Sequence, residues 1–186
     1  MTPDEALEAR LAALLHDTDD YKLVGRENAH KLMNATEIMR QARVDDVAQT
    51  SVRGVIQRIG YSKALRGVRP DTLPGKIVSD ADMCDAMGAS GIIRALTYAA
   101  SSKGSGIVFD PRVWPIDTIT AEQYNGGGTT HATDSFINHF FEKLLRLEGM
   151  MMTGAGKIEA ASRDELMVRF LRQYFKSNIL QCGNLS

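Results

Sequence analysis

His16 and Asp17 stand side by side at the end of the apolar run Leu11-Ala12-Ala13-Leu14-Leu15, and Asp80-Ala81-Asp82 answers them far downstream. An imidazole nitrogen and carboxylate oxygens together suit a borderline divalent cation such as Mn²⁺, Zn²⁺, Fe²⁺ or Co²⁺, and a cation so held can activate water. The chemistry open to these residue types is therefore metal-assisted hydrolysis. Consecutive helical residues point about 100° apart, so His16 and Asp17 can share one ion only off the end of a helix. Thr18-Asp19-Asp20 supplies such an end. Asp82 completes the set from a second helix, while Asp80 and Asp85 either hold hydrogen bonds behind the ligands or cap and pair on their own helix. The alternative for His16 and Asp17 is a capped, solvated helix end.

Helices must position these groups. Thr2-Pro3-Asp4-Glu5 combines a capping threonine, a proline suited to the first helical position and a glutamate that closes a capping box, so a helix starts at once. Leu7, Leu11, Leu14 and Leu15 recur at helical spacing, which places His16 and Asp17 at the C-terminal end of an expected buried face. Two further helical patterns cover 27–42, on Ala29, Leu32, Met33, Ile38 and Met39, and 43–59, on Val47, Val52, Val55, Ile56 and Ile59. Gly67, Pro70, Pro74 and Gly75 mark 61–75 as a surface loop. The spacing of Ile92, Ile93, Leu96 and Tyr98 continues a helix that passes through Asp80 and Asp82, with Gly88 and Gly91 permitting a bend. Residues 101–131 show no sustained period and read as a lid or substrate loop. Helices over 133–147, on Phe136, Ile137, Phe140, Phe141, Leu144 and Leu145, and over 155–176 finish the chain. Alternating β-branched runs are lacking. The expected fold is an all-α bundle of about six helices, one domain over 1–178 that is short at its N-terminus, with 179–186 a flexible tail.

The chain has 186 residues and a formal net charge of −1, enough length for a real core and no electrostatic footprint of a general nucleic-acid or anionic-membrane binder. A phosphate ligand would need a local basic patch. No apolar stretch approaches the roughly 18 residues that a membrane span requires. Cys84 and Cys182 lie far apart with no signal peptide before them, which points to reduced thiols and a cytoplasmic location.

Three stretches carry a family resemblance. Leu14-Leu15-His16-Asp17 with Asp20-Tyr21-Lys22 is the first, and Val78-Ser79-Asp80-Ala81-Asp82 with Asp85-Ala86-Met87-Gly88-Ala89 and Gly91-Ile92-Ile93-Arg94 is the second. The third is Asn138-His139-Phe140-Phe141-Glu142-Lys143-Leu144-Leu145, followed by a similar tail from Met152-Thr153 through Arg163 to Phe170-Leu171. Together they resemble the HD-domain metal-dependent phosphohydrolases over nearly the whole chain, in the bacterial subgroup that resembles nucleotide pyrophosphohydrolases. The resemblance implies an all-α fold, one divalent metal ion with Mn²⁺ favoured, and cleavage of a nucleoside triphosphate to monophosphate and pyrophosphate. By position, His16, Asp17 and Asp82 match the second His, its adjoining Asp and the distal Asp of the family's metal set. The family's first His lies on an upstream helix, and the fifteen residues before His16 contain no histidine. Three expectations follow: the sequence is truncated before that helix, or a metal is held by three protein ligands and extra water, or the protein is an HD-fold protein impaired in catalysis, which acts by binding nucleotide or protein or by homo-oligomerising.

Beyond the metal set, Asp20, or Asp19 beside it, can orient water, and Lys22 and Arg94 can contact phosphate. Each has a plainer reading as a solvated or ion-paired side chain. The partner implied is a nucleotide or other small phosphorylated substrate, with neither membrane nor nucleic acid. His139 reads as a satisfied core histidine on an aromatic helix face, with Lys143 one turn on, and His30 and His131 are the remaining histidines. Gly126-Gly127-Gly128-Thr129-Thr130 can wrap a phosphate but lacks a following Lys at P-loop spacing, so a flexible turn is favoured. Met150-Met151-Met152 reads as packing filler.

Overall fold

The structure, a computed structural model, describes residues 1–101, 104–124 and 135–182, with side chains through Asn178. Among these residues every regular element is helical, eleven α-helices in all. Six of them have nine residues or more, in line with the expected bundle. The chain forms two compact units, Met1–Asp82 and Met83–Ser186.

In the first unit α1 spans Pro3–Leu15, capped as its sequence dictates: the Thr2 hydroxyl accepts the Glu5 N–H at 3.2 Å and the Glu5 carboxylate accepts the Thr2 N–H at 2.7 Å. Its buried face differs from the leucine pattern. Ala9, Ala12 and Leu15 are buried while Leu7 and Leu14 are exposed, Leu14 to 78%. The reason is proximity: α1 packs chiefly against α5 (Asp46–Ile56), and alanines let the two backbones approach while leaving no room for larger side chains. Leu15 joins Leu32, Met39, Val52, Val55, Ile56, Ile59 and Val78 in one core.

Between these helices the chain is more broken than periodicity suggested. Short helices α2 (Tyr21–Val24) and α3 (Arg26–Ala29) precede α4 (Met33–Gln41), because Leu32 adopts the left-handed region at φ 52° and stops a continuous 27–42 helix. Asp45 caps α5 by accepting the Ala48 N–H at 2.9 Å. The segment expected as a loop after Gly60 instead opens with α6 (Tyr61–Leu65), and only 66–72 is irregular before α7 (Leu73–Asp85).

In the second unit α8 (Gly88–Ala100) begins at a buried glycine with φ +67°, where an added Cβ would meet the Arg163 side chain at 3.2 Å. The periodic stretch through 98 is thus split at 86–87. Helix α9 (Ala121–Tyr124) interrupts the irregular stretch, whereas Gly126 to Thr130 and His131 lie outside the described residues. Ser135 caps α10 (Phe136–Glu142), two 3₁₀ turns follow, and α11 (Gly154–Cys182) ends the described chain. Phe136, Phe140 and Phe170 form its aromatic centre, the last two stacked with centroids 5.7 Å apart. Phe140 and Leu144 are core as expected, but Phe141 is 37% exposed because α10 turns it away from that centre. No helix among the described residues is long and apolar enough to cross a membrane.

The small-residue contact of α1 makes a sharp expectation. Replacing the fully buried Ala12 by leucine should cost about 1–3 kcal/mol of unfolding free energy by overpacking, while Leu14→Ala should stay within about 0.5 kcal/mol of the parent. Urea unfolding followed by circular dichroism reads both, and equal losses would sink the assignment of the buried face.

Candidate metal and phosphate site

Helix α1 ends at Leu15, and His16 forms its C-cap with helical backbone angles before the chain turns away through 17–20. The His16 ring lies with Nδ1 2.8 Å from the Ala13 carbonyl oxygen, which can only accept, so Nδ1 carries a hydrogen. Nε2 then faces two carboxylates, Asp17 Oδ2 at 3.2 Å and Asp82 Oδ1 at 3.6 Å. Asp82 is delivered by α7, whose Val78 packs into the core one turn earlier. His16, Asp17 and Asp82 therefore converge within the first unit from a helix end and a second helix, the arrangement that lets adjacent residues serve one centre.

The electrostatics follow from this crowding. The nearby Asp82 carboxylate, with help from the Ala13 carbonyl and the Asp17 charge, raises the His16 pKa to about 9 against an opposing effect of burial. At neutral pH the imidazole is thus a cation clasped by two carboxylates. Among the described residues no three His, Cys, Asp or Glu side chains stand in metal-binding geometry, and Asp17 and Asp82 lie at 3.2 and 3.6 Å from the His16 Nε2. The donor set itself fits a divalent ion: two carboxylates, and an imidazole whose Nδ1–H is engaged so that deprotonation exposes Nε2.

Two neighbours support this centre. Asp19 is 4% exposed, and its carboxylate accepts the N–H groups of Asn34 at 3.0 Å and Ala35 at 2.8 Å, while the Asn34 amide donates to the Thr18 carbonyl at 3.1 Å. Leu32 offers α4 no side-chain cap, so Asp19 serves as one from a distant turn and is structural rather than turned toward water. Lys63, on α6, is the functional candidate that sequence reasoning passed over. Its side chain is half-buried, its Nζ donates to the Ile56 carbonyl at 2.8 Å, and its charge interacts with both Asp82 and Asp20. Its only sequence signal was the cluster Lys63, Arg66 and Arg69 inside a segment read as a loop.

The remaining candidates are distributed more widely. Asp20 caps α2, accepting the Lys22 N–H at 2.8 Å, and the exposed Lys22 ammonium lies 5.8 Å from the Tyr21 ring centroid. Asp80 is buried, and a separation of two helical residues turns it about 200° from Asp82, so the two do not share a face. Asp85 and Arg94 belong to the second unit and are ion-paired with each other. There Lys143 donates to the Tyr124 hydroxyl at 2.7 Å. His30 is exposed at the end of α3. A cleft of about 190 Å³ lined by Glu8, Ser51, Arg58 and Thr72 contains none of the metal candidates.

No family model matches the chain. It is 31% identical over 169 residues to YpgQ of Bacillus subtilis, an uncharacterized protein, covering 89% of this chain and 69% of that one. Among solved structures, a Lactobacillus plantarum protein is 31% identical with a TM-score of 0.71, over 95% of this chain and 84% of that one. An HD-superfamily hydrolase from Bacillus thuringiensis is 28% identical with a TM-score of 0.65, over 91% and 72%. YpgQ has itself been solved in complex with ADP and shares this fold at 24% identity and a TM-score of 0.53, over 94% and 87%. The helical architecture and the His-Asp pair are those of the HD-domain superfamily, to which the chain belongs together with YpgQ.

The carboxylate clasp has a pH signature. Since the folded pKa of His16 lies above the ordinary 6.5, the proton stabilises the fold fully below about pH 6.5, and that contribution is lost as pH rises toward 9. In metal-free protein the His16 ring should titrate near 9 by NMR, and Asp82→Asn should move it down toward the ordinary range. A parent His16 titrating near 6.5 would refute the clasp.

Proposed function

We propose that this protein is a divalent-metal-dependent phosphohydrolase that cleaves a nucleoside triphosphate to monophosphate and pyrophosphate, with Mn²⁺ the favoured ion. The convergence of His16, Asp17 and Asp82, with the His16 tautomer directed by the Ala13 carbonyl, carries the reading. Family membership supports it, as does the ADP held by YpgQ. When bound, the divalent ion supplies Lewis acidity toward a phosphoryl oxygen and a lowered pKa for water.

This chain's own residues do the rest. His16, Asp17 and Asp82 hold the ion, and His16 must give up its Nε2 proton to do so, which makes affinity rise with pH up to about 9. Asp20, anchored as the cap of α2, orients the attacking water through its remaining oxygen. Lys22 is exposed on the same short helix and answers the charge of the leaving group. Arg94 can bind substrate only by exchanging its Asp85 partner for phosphate.

Assay of the full chain with Mn²⁺ should release pyrophosphate from a nucleoside triphosphate, and a chelator should abolish the release. His16→Ala and Asp82→Ala should each lower kcat/KM by roughly two orders of magnitude or more, as loss of a ligand both weakens the ion and disorders the site. Activity that survives both substitutions would exclude this centre. Nucleotide binding without turnover in the parent would instead mark a binding protein on the HD fold.

A further inference from the structure

Packing does little to hold Asp17. Its side chain is 77% exposed, so the direction of its carboxylate toward the His16 Nε2 depends on the path of the turn that carries it. That turn has bonds of its own: the Leu15 carbonyl accepts the Thr18 N–H at 3.1 Å and the Thr18 hydroxyl at 2.7 Å, and the Asp17 carbonyl accepts the Asp20 N–H at 3.1 Å. These bonds close the turn upon itself. They do not fix where it points within the first unit, and a helix end frays unless something outside it does so.

The start of α4 supplies the outer attachment. Leu32, in the left-handed region at φ 52°, precedes that helix without a side-chain cap, which leaves the N–H groups of the first turn in need of acceptors. The Asp19 carboxylate accepts two of them, Asn34 at 3.0 Å and Ala35 at 2.8 Å. Asn34 returns a bond from its side chain, the amide donating to the Thr18 carbonyl at 3.1 Å. The exchange is that of a capping box, except that its two halves come from segments about fifteen residues apart. A carboxylate bonded through its own rotatable side chain leaves the main chain of the turn free to pivot. The Asn34 bond reaches that main chain directly, at the carbonyl of the residue next to Asp17.

We propose that Asn34 is a positioning residue of this centre: its amide, bonded to the Thr18 carbonyl, sets the turn in one register against α4 and so keeps the Asp17 carboxylate aimed at the ring nitrogen of His16. The inference rests on the phosphohydrolase reading and adds to it a residue that acts through the turn rather than on the ion. Asn34 is also the part of this attachment that can be removed cleanly. It is exposed, an alanine in its place keeps the main-chain N–H that Asp19 accepts, and alanine is a good helix former. Asp19, by contrast, is 4% exposed, and loss of its carboxylate would strand the start of α4.

The full chain carrying Asn34→Ala is compared with the parent and with Asp45→Ala, which removes the side-chain cap of α5 in the same unit. In calorimetric titration with Mn²⁺ at one pH, Asn34→Ala should bind about tenfold more weakly or worse, the loss that follows removal of a group orienting a metal ligand. Asp45→Ala should bind as the parent does, even where its melting temperature falls as far. Amide hydrogen exchange read by NMR in the metal-free protein should quicken at Thr18 and Asp20 in Asn34→Ala alone, and Asn34→Gln, which keeps an amide donor, should recover much of both effects. Equal Mn²⁺ affinity in Asn34→Ala and the parent, or a loss matched by Asp45→Ala, would overturn the proposal and leave the metal centre intact. A parent that binds no Mn²⁺ refutes the metal-dependent reading instead, and exchange at Thr18 and Asp20 then decides the positioning role: faster in Asn34→Ala if it holds, unchanged if it fails.

Discussion

A buried carboxylate must find donors or lose its charge, and Asp19 finds them in the main chain of another helix. Its two oxygens take the N–H groups of Asn34 and Ala35, which would otherwise be orphans at the start of α4, while the Asn34 side chain reaches back to the Thr18 carbonyl. Hydrogen bonds to a charged acceptor contribute roughly 1.5–3 kcal/mol each, enough to offset the cost of holding Leu32 in the left-handed region. The turn that follows α1 is thereby tied to α4. Without it His16 and Asp17 would be the fraying end of a helix, and two adjacent side chains would have no reason to keep one direction.

The cluster so positioned is organised around a positive centre. Asp17 and Asp82 approach the His16 Nε2 from the turn and from α7. In the metal-free protein the proton on His16 satisfies the carboxylates. Under the proposed function, proton and divalent ion would compete for one place, which would couple metal affinity to pH through the same geometry that raises the His16 pKa. Membership of the HD superfamily accords with this economy of parts: a helix end, a turn and one residue from a second helix.

Local chemistry was legible wherever it acts over a few residues. The Thr2 capping box behaves as its sequence requires, and the His-Asp pair does fall at a helix end. Periodicity alone was less informative about faces. Leu7 and Leu14 match a helical repeat yet lie in solvent, because the closeness of α5 selects Ala9 and Ala12 for the interior. A stretch framed by Gly60 and Gly67 read as loop because glycine and proline dominate its end, although Tyr61–Leu65 itself contains no breaker and coils into a helix. That misreading is what hid Lys63.

Residue types therefore determined the helical class, the capping points and the kind of chemistry, since an imidazole and carboxylates limit the ions and reactions they can serve. Only the tertiary structure decided which acids matter and in what way. Asp19 differs from Asp17 and Asp20 in no property visible along the chain, but one is buried as a cap, one faces His16 and one caps α2. The distinction arises from contacts between residues far apart in sequence, Asp19 with Asn34 and Ala35, and His16 with Asp82. Spacing cannot encode such contacts, because burial and charge pairing are set by what the fold brings alongside each carboxylate.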